Sequence, residues 1–578
     1  SSNGSATISG AIGTSAGVNI SQGTLTIQGA NTYTGNTSIT GGTLIVNSSG
    51  TLGSNANSLT INGGTLNLSS ASLQTINGGV TLTSGTITGG SISSSSGYTV
   101  ASGSISTALS GTGGLTMNNN GGTVTLSGGN SYSGATNVLA GTLKGGTTNA
   151  FSSVTAITVA SGATLDLGGS YAQYAASLSG AGTVTNSSGS ATFYTGYNNT
   201  STTFSGVIQN GSGTLALYKT GTGTLTLSGA NTFTGGITAS AGTLLISGSG
   251  TLGGATNNLT VSGATTIVDL GGSSQTLNTV TLNNGTIQNG SITASGYTVY
   301  NGTISTTLSG SGSLSMSGSA AQTVTLSAAN SYSGGLYVNS GTLNLTAANT
   351  YTGNNTLYGG TLNVTGSGTL GAITNNLSLY NGATLDLGAT TQTQNNVTLT
   401  SGTIQNGSLV VSNGYTVSNG TISAALSGSG GLTMNNSGGS VTLSGANSYS
   451  GGLTLTAGTL YLTAANSYTS STTVSGGTLY VSGTGTLGAT TNSLTVSGGT
   501  LNLGATTQTQ NGGLTLTAGT IQNGTLSSTS TFNVQAGTIS ASLIGTGQLS
   551  KSNAGTVTLS AANTYTGNTS ITGGTLIV

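Results

Sequence analysis

The chain has almost no charged side chains. Its 578 residues include three lysines and three aspartates, with no arginine, glutamate or histidine. A nucleic-acid partner requires many basic side chains against the phosphates, and Lys144, Lys219 and Lys551 are too few to form a basic groove. Acid–base or nucleophilic catalysis requires titratable groups close together. We therefore expect no nucleic-acid binding, no catalytic residues and no enzyme activity.

Cysteine and proline are also absent. Without cysteine the fold has no disulfide. Without histidine, cysteine or clustered carboxylates, the chain has no residues suited to a metal or a cofactor. No apolar run approaches the roughly 18 residues of a membrane-spanning helix. We expect neither metal nor cofactor, and no membrane insertion of this segment.

Glycine and alternating strand residues make up most of the chain. Its 104 glycines stand at short, regular intervals as turn residues. Between them, β-branched residues and leucine alternate with Thr, Ser and Asn, as in residues 23–28 and 124–127. This period of two is typical of β-strands. The sequence therefore predicts an all-β protein without a helical domain.

Three motifs recur in a fixed order. The first is Asn-x-Tyr or Asn-x-Phe, and the second is Gly-Thr-Leu-Gly, whose leucine follows a landmark aromatic of the first motif by 19 residues. The third is a strand that begins with Tyr or Phe, 45 or 46 residues further on. The simplest cause of such constant spacing is a solenoid of roughly 20 residues per rung. The landmark aromatics are Tyr33, Tyr132, Phe233, Tyr332, Tyr351, Tyr449, Tyr468 and Tyr565.

The landmark aromatics divide the chain into super-repeat units. Two units are longer than the others, and each contains one additional Asn-x-Tyr segment of 19 residues, which a solenoid accommodates as one extra rung. The unit between Tyr132 and Phe233 departs most from the others and lacks Gly-Thr-Leu-Gly. We expect a bulge or a different cross-section there. The units lie near residues 33–131, 132–232, 233–331, 332–448 and 449–564.

The sequence also repeats over a long period. Residues 31–46 and 563–578 are identical, at an offset of 532 residues. We interpret residues 1–578 as a single continuous solenoid and as about one period of a longer array, continued within one chain or by copies stacked head to tail. Neither terminus resembles the polar cap that closes a solenoid, which favours self-association.

Part of the sequence resembles a known family. Residues 204–235, which begin Phe-Ser-Gly-Val-Ile-Gln-Asn-Gly, and residues 241–244 resemble the autotransporter-associated β-strand repeat of bacterial type V passenger domains. The resemblance implies a right-handed parallel β-helix that is displayed on the cell surface or released from it. It does not imply one activity, because passengers include adhesins, enzymes and toxins. Shorter versions of the repeat occur at residues 124–143, 324–343, 441–460 and 557–576.

The aspartates Asp166, Asp269 and Asp386 are the only candidate acids. Each lies in an equivalent strand, where sister rungs have Asn67 or Asn502. Offsets of 103 and 117 residues place the aspartates on the order of 25 Å apart, whereas paired carboxylates in glycosidases lie roughly 5 to 10 Å apart. We interpret the position as a surface strand site that accepts Asp or Asn. Asparagines at equivalent rung positions are expected to form amide ladders.

Tyrosines and threonines leave two binding alternatives open. The tyrosines could form a sugar-stacking track, but the landmark aromatics stand beside turns about once per super-repeat unit, so we favour corner packing or an aromatic stack. Stretches such as residues 391–393 and 507–509, both Thr-Gln-Thr, could form an ice-binding face. Such a face would need outward Thr-x-Thr on most consecutive rungs, and threonine also suits any exposed strand.

The sequence favours an extracellular structural protein, outside the cell or on the bacterial cell surface. Its zero formal net charge leaves little like-charge repulsion between copies. We therefore expect self-association, head to tail with lateral packing as an option, in a fibre or surface stalk with a mechanical or cohesive role. The alternative is an adhesin-type module that binds surface glycans, with ice binding as its weaker form.

Overall fold

The computed structural model describes residues 4–578. These residues contain no helix, and their strands pair in parallel to form a β-solenoid with about 30 turns of about 19 residues. The predicted all-β solenoid with rungs of roughly 20 residues is therefore confirmed. No membrane-spanning helix is present among the described residues.

The chain divides into two compact units, Ser1–Ala294 and Ser295–Val578, and the described residues of each form stacked parallel coils. One continuous solenoid over residues 1–578, with its super-repeat units, stays a prediction. Strands β1 to β31, the last of which contains the division between the units, are in chain order Ser5–Ile8, Val18–Ile20, Thr24–Ile27, Thr37–Ile39, Thr43–Val46, Leu59–Asn67, Gln74–Thr75, Val80–Thr88, Ser91–Ser93, Tyr98–Val100, Gly103–Ile105, Ala108–Ser110, Leu115–Leu126, Thr136–Gly145, Ala156–Val159, Thr164–Asp166, Ala172–Ala175, Ser177–Gly180, Thr183–Thr185, Ser190–Thr195, Thr202–Phe204, Val207–Ile208, Thr214–Lys219, Thr224–Leu227, Ile237–Ala239, Thr243–Ile246, Asn258–Val261, Ile267–Asp269, Ser274–Leu282, Thr286–Gln288 and Ser291–Val299.

The second unit continues with strands of the same kind. Strands β32 to β63 are in chain order Gly302–Ile304, Thr307–Ser309, Ser313–Ser317, Thr323–Leu326, Leu336–Ser340, Thr342–Leu345, Asn355–Leu357, Thr361–Val364, Leu377–Leu379, Ala383–Asp386, Thr391–Leu399, Gly402–Gln405, Ser408–Val417, Gly420–Ile422, Ala425–Ser427, Gly431–Leu443, Leu453–Leu462, Thr472–Val474, Thr478–Val481, Leu494–Val496, Thr500–Asn502, Thr507–Thr509, Leu514–Leu516, Thr520–Gln522, Thr525–Ser527, Phe532–Val534, Gly537–Ile539, Ser542–Ile544, Leu549–Lys551, Thr556–Leu559, Thr569–Ile571 and Thr575–Ile577.

The alternation along each strand decides which side chains face the interior. In β5, Leu44 and Val46 are buried, while the residues between and before them are partly exposed. β5 pairs in register with β3, so that Leu44 lies over Leu25 and Val46 over Ile27. Full burial of one such side chain contributes roughly 1.5–3 kcal/mol. Apolar columns of this kind, repeated rung after rung, hold the coils together.

Glycine allows the turns to approach the neighbouring rung closely. Gly103 has a φ of 121°, and a Cβ atom there would lie 2.1 Å from the carbonyl oxygen of Gly85 in the preceding rung. Any other residue would be strained in φ and would clash with the backbone. The glycine therefore marks a close contact between rungs as well as a turn.

The additional 19-residue segments of the second unit each add one rung. β37 pairs in register with β35 on one side and with β39 on the other. The rings of Tyr332 and Tyr351 stack with centroids 4.9 Å apart and an interplanar angle of 1°. Tyr449 and Tyr468 stack in the same way at 5.0 Å and 1°. Each insertion is therefore absorbed without interrupting strand pairing.

Candidate functional site

The landmark aromatics lie inside the coils. Seven of the eight are fully buried, and Tyr565 is partly exposed. The hydroxyl groups of Tyr33 and Thr37 hydrogen-bond at 2.7 Å, and Tyr132 and Tyr468 form the same pair with the threonine four residues on. Burial raises the pKa of Tyr33, and the hydrogen bond to Thr37 offsets only part of that rise. These rings pack a corner of the coil, and the seven buried ones are closed to a sugar.

The asparagine two residues before a landmark aromatic joins three rungs. Asn31 Oδ1 accepts a hydrogen bond from the Ile12 N–H at 2.8 Å, and its Nδ2 donates one to the Thr51 carbonyl oxygen at 2.8 Å. Asn231 makes the same pair of hydrogen bonds with its neighbouring rungs, both at 2.8 Å. At this corner the side-chain amide, rather than a neighbouring strand, supplies the hydrogen-bond partner of each buried backbone group.

Buried glutamines continue this arrangement one rung further. Gln74 Oε1 accepts a hydrogen bond from the Leu52 N–H at 2.9 Å, and its Nε2 donates one to the Gly50 carbonyl oxygen at 3.1 Å. The sequence analysis missed these residues, although a glutamine 21 to 23 residues after the leucine of each Gly-Thr-Leu-Gly motif is a usable signal. Equivalent buried glutamines are Gln173, Gln275, Gln392 and Gln508.

Two of the aspartates hold turns at the surface. The Asp269 carboxylate accepts hydrogen bonds from the Gly271 N–H, Gln288 Nε2 and Asn289 Nδ2 at 2.8–2.9 Å. Burial alone would raise the pKa of Asp269, but these three hydrogen bonds outweigh it and hold the pKa below its usual value. Asp386 shows the same balance: burial raises its pKa, but the hydrogen bonds to its carboxylate outweigh burial and hold the pKa below its usual value. Both carboxylates therefore accept hydrogen bonds from their own rung and from the next one.

Asp166 differs from the other two aspartates. It is buried, its carboxylate lies 3.6 Å from Lys144 Nζ, and it accepts hydrogen bonds from the N–H groups of Gly168 and Ser187 at 2.9 Å. The predicted surface position is therefore wrong for Asp166, because the ion pair and hydrogen bonds compensate for its burial. In residues 4–578 no group of three or more His, Cys, Asp or Glu residues could hold a metal ion.

Two of the three lysines point into the interior. Lys219 Nζ donates hydrogen bonds to the carbonyl oxygens of Thr220, Gly221 and Ala241 at 2.8, 2.9 and 3.0 Å. Burial lowers the pKa of Lys219 to about 8. Lys551 donates to three carbonyl oxygens in the same way, at 2.8 to 2.9 Å. Each ammonium group is thus held by backbone carbonyls of its own rung and of the next.

Methionine occupies the equivalent corner in other super-repeat units. Met117, Met316 and Met434 are fully buried and stand, like Lys219 and Lys551, six to eight residues before a Val-Thr-Leu-Ser or Leu-Thr-Leu-Ser segment. The corner therefore accepts either an apolar methyl group or an ammonium group with three carbonyl partners. The sequence analysis considered the lysines only as charges and did not identify this corner.

A second group of tyrosines faces outward in the first unit. Tyr174, Tyr194 and Tyr218 stand in register on β17, β20 and β23, and each lies between buried residues of its strand. Their ring centroids are 4.7 Å apart for the first pair and 5.0 Å apart for the second. We call these three residues the tyrosine ladder.

The loop between β20 and β21 places a fourth tyrosine beside this ladder. The Tyr197 ring is tilted by 47° to that of Tyr174, with centroids 6.2 Å apart. Together with Ser153 and Val154, these two tyrosines line an open cleft of about 320 Å³, here called the tyrosine cleft. It lies in the super-repeat unit near 132–232, which the sequence analysis singled out as divergent but to which it assigned no site.

The outward threonines form files that are one residue wide and run along the stacked rungs. In β49, Thr473 is the only outward residue, because Thr472 and Val474 are buried. On the other face, Thr323, Thr342, Thr361, Thr384 and Thr403 follow one another in register. The outward position two residues after each of these is, in the same order, Thr325, Asn344, Asn363, Asp386 and Gln405.

These files do not form the face that ice binding would need. Thr-x-Thr does not recur on consecutive rungs of these strands, because the second position changes from Thr to Asn, Asp and Gln. That second position instead contains an amide ladder of the predicted kind, in which Asn363 Nδ2 donates a hydrogen bond to Asn344 Oδ1 at 2.9 Å. The outward threonines therefore act as strand residues here.

Comparison with known families gives matches along the chain. The family model described as passenger-associated-transport-repeat matches eight segments, and each contains one of the eight landmark aromatics. Comparison with curated proteins and with solved structures gives no match. The matched segments are residues 4–46, 119–144, 217–246, 321–345, 339–364, 432–462, 457–481 and 549–578.

The matched segments and the landmark corner coincide. In the segments 4–46 and 217–246, for example, the match includes the corner at which a buried asparagine joins three rungs and a buried aromatic packs beside it. The resemblance found in the sequence is therefore confirmed. Eight segments of this β-solenoid thus match the model of the passenger-associated-transport-repeat, an autotransporter passenger repeat family.

Proposed function

We propose that this chain is an extracellular structural protein, on the cell surface or released from it, that builds a cohesive fibre or stalk by self-association. The repeats and the solenoid fold fit an autotransporter passenger domain, and passengers are secreted to the cell surface or beyond it. We also propose that the chain is not an enzyme, since its three carboxylates each hold a turn or an ion pair.

The observation that carries the proposal is the recurrence of one rung. Residues 31–46 and 563–578 have the same side chains, and they form equivalent strands, β4 and β5 in one case and β62 and β63 in the other. β4 and β5 both pair with β6 on the next rung, where Ile39 lies opposite Ile61. The later copy of the rung offers the same side chains for a further rung, from a continuation of the chain or from another molecule.

The apolar character of that rung supports association. Ile39 is fully buried beneath the next rung, and Ile571 has the same place on the later copy of the rung. Covering such a side chain contributes roughly 1.5–3 kcal/mol. The backbone N–H and C=O groups of a further rung would pair with those of the same strand, as β6 pairs with β4. Few charged side chains oppose the approach of a second copy.

Sedimentation velocity and negative-stain electron microscopy test the proposal. We expect the purified chain to form larger species as its concentration rises and to appear as filaments. Ile571→Lys places a charge where the next rung would pack, and we expect it to reduce the filament fraction at least tenfold. Ser570→Lys is the matched control, because the equivalent Ser38 stays partly exposed when its rung is covered. A wild-type chain that stays monomeric at every concentration would overturn the proposal.

A second candidate function is adhesion to glycans. The specific observation that favours it is the tyrosine cleft, which places exposed aromatic rings and hydroxyl groups on one surface of the first unit.

A further inference from the structure

The hydroxyl groups of the ladder tyrosines differ from those of the landmark tyrosines. In the first unit, Tyr33 and Tyr132 bond to a threonine four residues on. By contrast, no protein group of the described residues hydrogen-bonds to the hydroxyl of Tyr174, Tyr194, Tyr197 or Tyr218, and none of these four is among the buried polar atoms without a partner. The four hydroxyl groups are therefore available to a ligand or to water.

The rings of these four tyrosines lie next to one another. Tyr197 interacts electrostatically with Tyr174, Tyr194 and Tyr218, and together with its burial these neighbours raise the pKa of Tyr197, burial being the larger cause. A phenol hydroxyl both donates and accepts hydrogen bonds. The cluster thus offers four donors and four acceptors beside an apolar surface, which suits a ligand with many hydroxyl groups.

The cleft itself supplies the apolar surface. Val154 is 60% exposed and Tyr197 is 47% exposed, and both line the cleft, so a ligand there would cover their apolar surface. Ser153 and Tyr174 complete the lining. Small-molecule sites combine apolar walls with a few polar groups that fix the ligand's orientation. The tyrosine cleft has both parts.

The lining also restricts the chemistry of the ligand. It contains no charged side chain, so an anionic or cationic ligand would be desolvated without a partner. A quaternary ammonium ion needs the open faces of several rings, whereas Tyr174 and Tyr194 stack against each other at 13° and cover those faces. An added peptide strand needs a free sheet edge, whereas β20 pairs with β17 on one side and with β23 on the other.

We propose that the tyrosine cleft is a binding site for a neutral carbohydrate, in which a pyranose ring packs its C–H face on Tyr197 and Val154 while its hydroxyl groups bond to the hydroxyls of Tyr174 and Tyr197. The tyrosine ladder extends the site along three successive rungs. A polysaccharide rather than a free sugar is therefore the fitting occupant. The site lies on the sides of the coils, so it does not depend on end-to-end association.

Affinity electrophoresis with dextran, mannan and laminarin as neutral probes tests the site, with polygalacturonate as an anionic comparison. We expect at least one neutral polysaccharide to retard the native chain. Because the chain has no tryptophan, tyrosine fluorescence can report the same binding in solution. Retardation by none of the three neutral probes, or by polygalacturonate alone, would overturn the proposal.

Variants of the loop tyrosine sharpen this test. Tyr197→Ala removes the exposed ring, and we expect it to weaken binding at least tenfold. Tyr197→Phe keeps the ring and removes the hydroxyl, and a several-fold loss is expected. The matched control is Tyr358→Ala, which removes another 47% exposed tyrosine that stacks on a neighbour, Tyr380, in the second unit.

The controls decide between a site and a general effect. Unchanged binding by Tyr197→Ala, or an equal loss with Tyr358→Ala, would contradict the proposed site. Displacement of the polysaccharide by choline would show a cation site in its place and would overturn the proposal as well. Circular dichroism melts of each variant show that the fold is retained. Filament formation is expected to be unaffected by Tyr197→Ala, so failure here and failure of the fibre proposal are distinguishable.

Discussion

The landmark tyrosines and the tyrosine ladder use one residue type in opposite ways. Tyr351 is fully buried, and its hydroxyl donates to Asn355 Oδ1 at 2.7 Å. Tyr194 faces outward between buried Phe193 and Thr195, and its hydroxyl has no protein partner among the described residues. The difference arises from strand alternation and from the turn before each strand. The role of a tyrosine in this protein therefore depends on its position on the rung.

The largest expected effect is the removal of a landmark ring. Tyr351→Ala leaves a cavity in the core and deprives Asn355 Oδ1 of its donor, and we expect it to lower the free energy of unfolding by about 3–5 kcal/mol. Tyr194→Ala, on the ladder, is expected to cost less than about 1 kcal/mol. Denaturant titration followed by circular dichroism compares the two. Equal losses would break the distinction between core and surface tyrosines.

The asparagine beside a landmark aromatic gives the next effect. Asn231→Ala leaves the Ile208 N–H and the Thr251 carbonyl oxygen unpaired, so we expect a loss of about 2–4 kcal/mol. Asn55→Ala is the control, because Asn55 is exposed, and a change within about 0.5 kcal/mol is expected. The same denaturant titration measures both. A loss below about 1 kcal/mol for Asn231→Ala would show that water replaces the amide at this corner.

A smaller effect depends on pH and on Lys219, which points inward beside outward Tyr218. Burial lowers the pKa of Lys219 to about 8 from 10.5. Above pH 8 the folded chain therefore loses this proton while the unfolded chain keeps it, so the free energy of unfolding should rise with pH, by on the order of 1–2 kcal/mol by about pH 9.5.

Lys219→Met provides the control for that pH dependence. It imitates Met316 and Met434 of the second unit and is expected to remove the rise. Measurement should stop near pH 9.5, because the raised pKa of buried tyrosines such as Tyr98, about 12, lowers stability once the unfolded tyrosines ionise above about pH 10. A rise that persists in the methionine variant would assign it to another group.

The last comparison predicts effects of opposite sign for two tyrosines of one stack. The hydroxyl of Tyr332 is buried without a partner in the described residues, because the residue four positions on is Leu336. Tyr332→Phe is expected to stabilise the chain by about 1 kcal/mol, whereas Tyr351→Phe leaves Asn355 Oδ1 unpaired and should destabilise it by about 1–3 kcal/mol. Thermal melts under identical conditions compare the signs. Destabilisation by Tyr332→Phe would reveal a buried water that serves this hydroxyl.

The spacing of the landmark aromatics was sufficient to predict the coil, because an insertion of one rung preserves every neighbouring pair. The roles of individual side chains were harder to predict. Burial of Lys219 could not be read from a lone lysine, since three converging carbonyl oxygens come from two rungs. Asp166 was misplaced for a similar reason, because its partner Lys144 stands one rung away.

The tyrosine cleft also could not be predicted from the sequence pattern. Divergence of the unit near 132–232 was visible, but the cleft depends on the tilt of Tyr197 in a loop between two strands. Alternation predicts that Tyr194 faces outward. It does not predict that Tyr197 of the loop packs against Tyr174, because loop geometry is set by contacts with neighbouring rungs and has no fixed period.

The buried lysines have a consequence for proteolysis. A protease that cleaves after basic residues has only three possible sites in this chain, at Lys144, Lys219 and Lys551. Two of these side chains are locked to carbonyl oxygens in the core, and the third is paired with Asp166 on a strand bonded on both sides. Cleavage therefore has to wait for local opening of the coil. The folded chain resists trypsin-like enzymes through the placement of three side chains and without a disulfide.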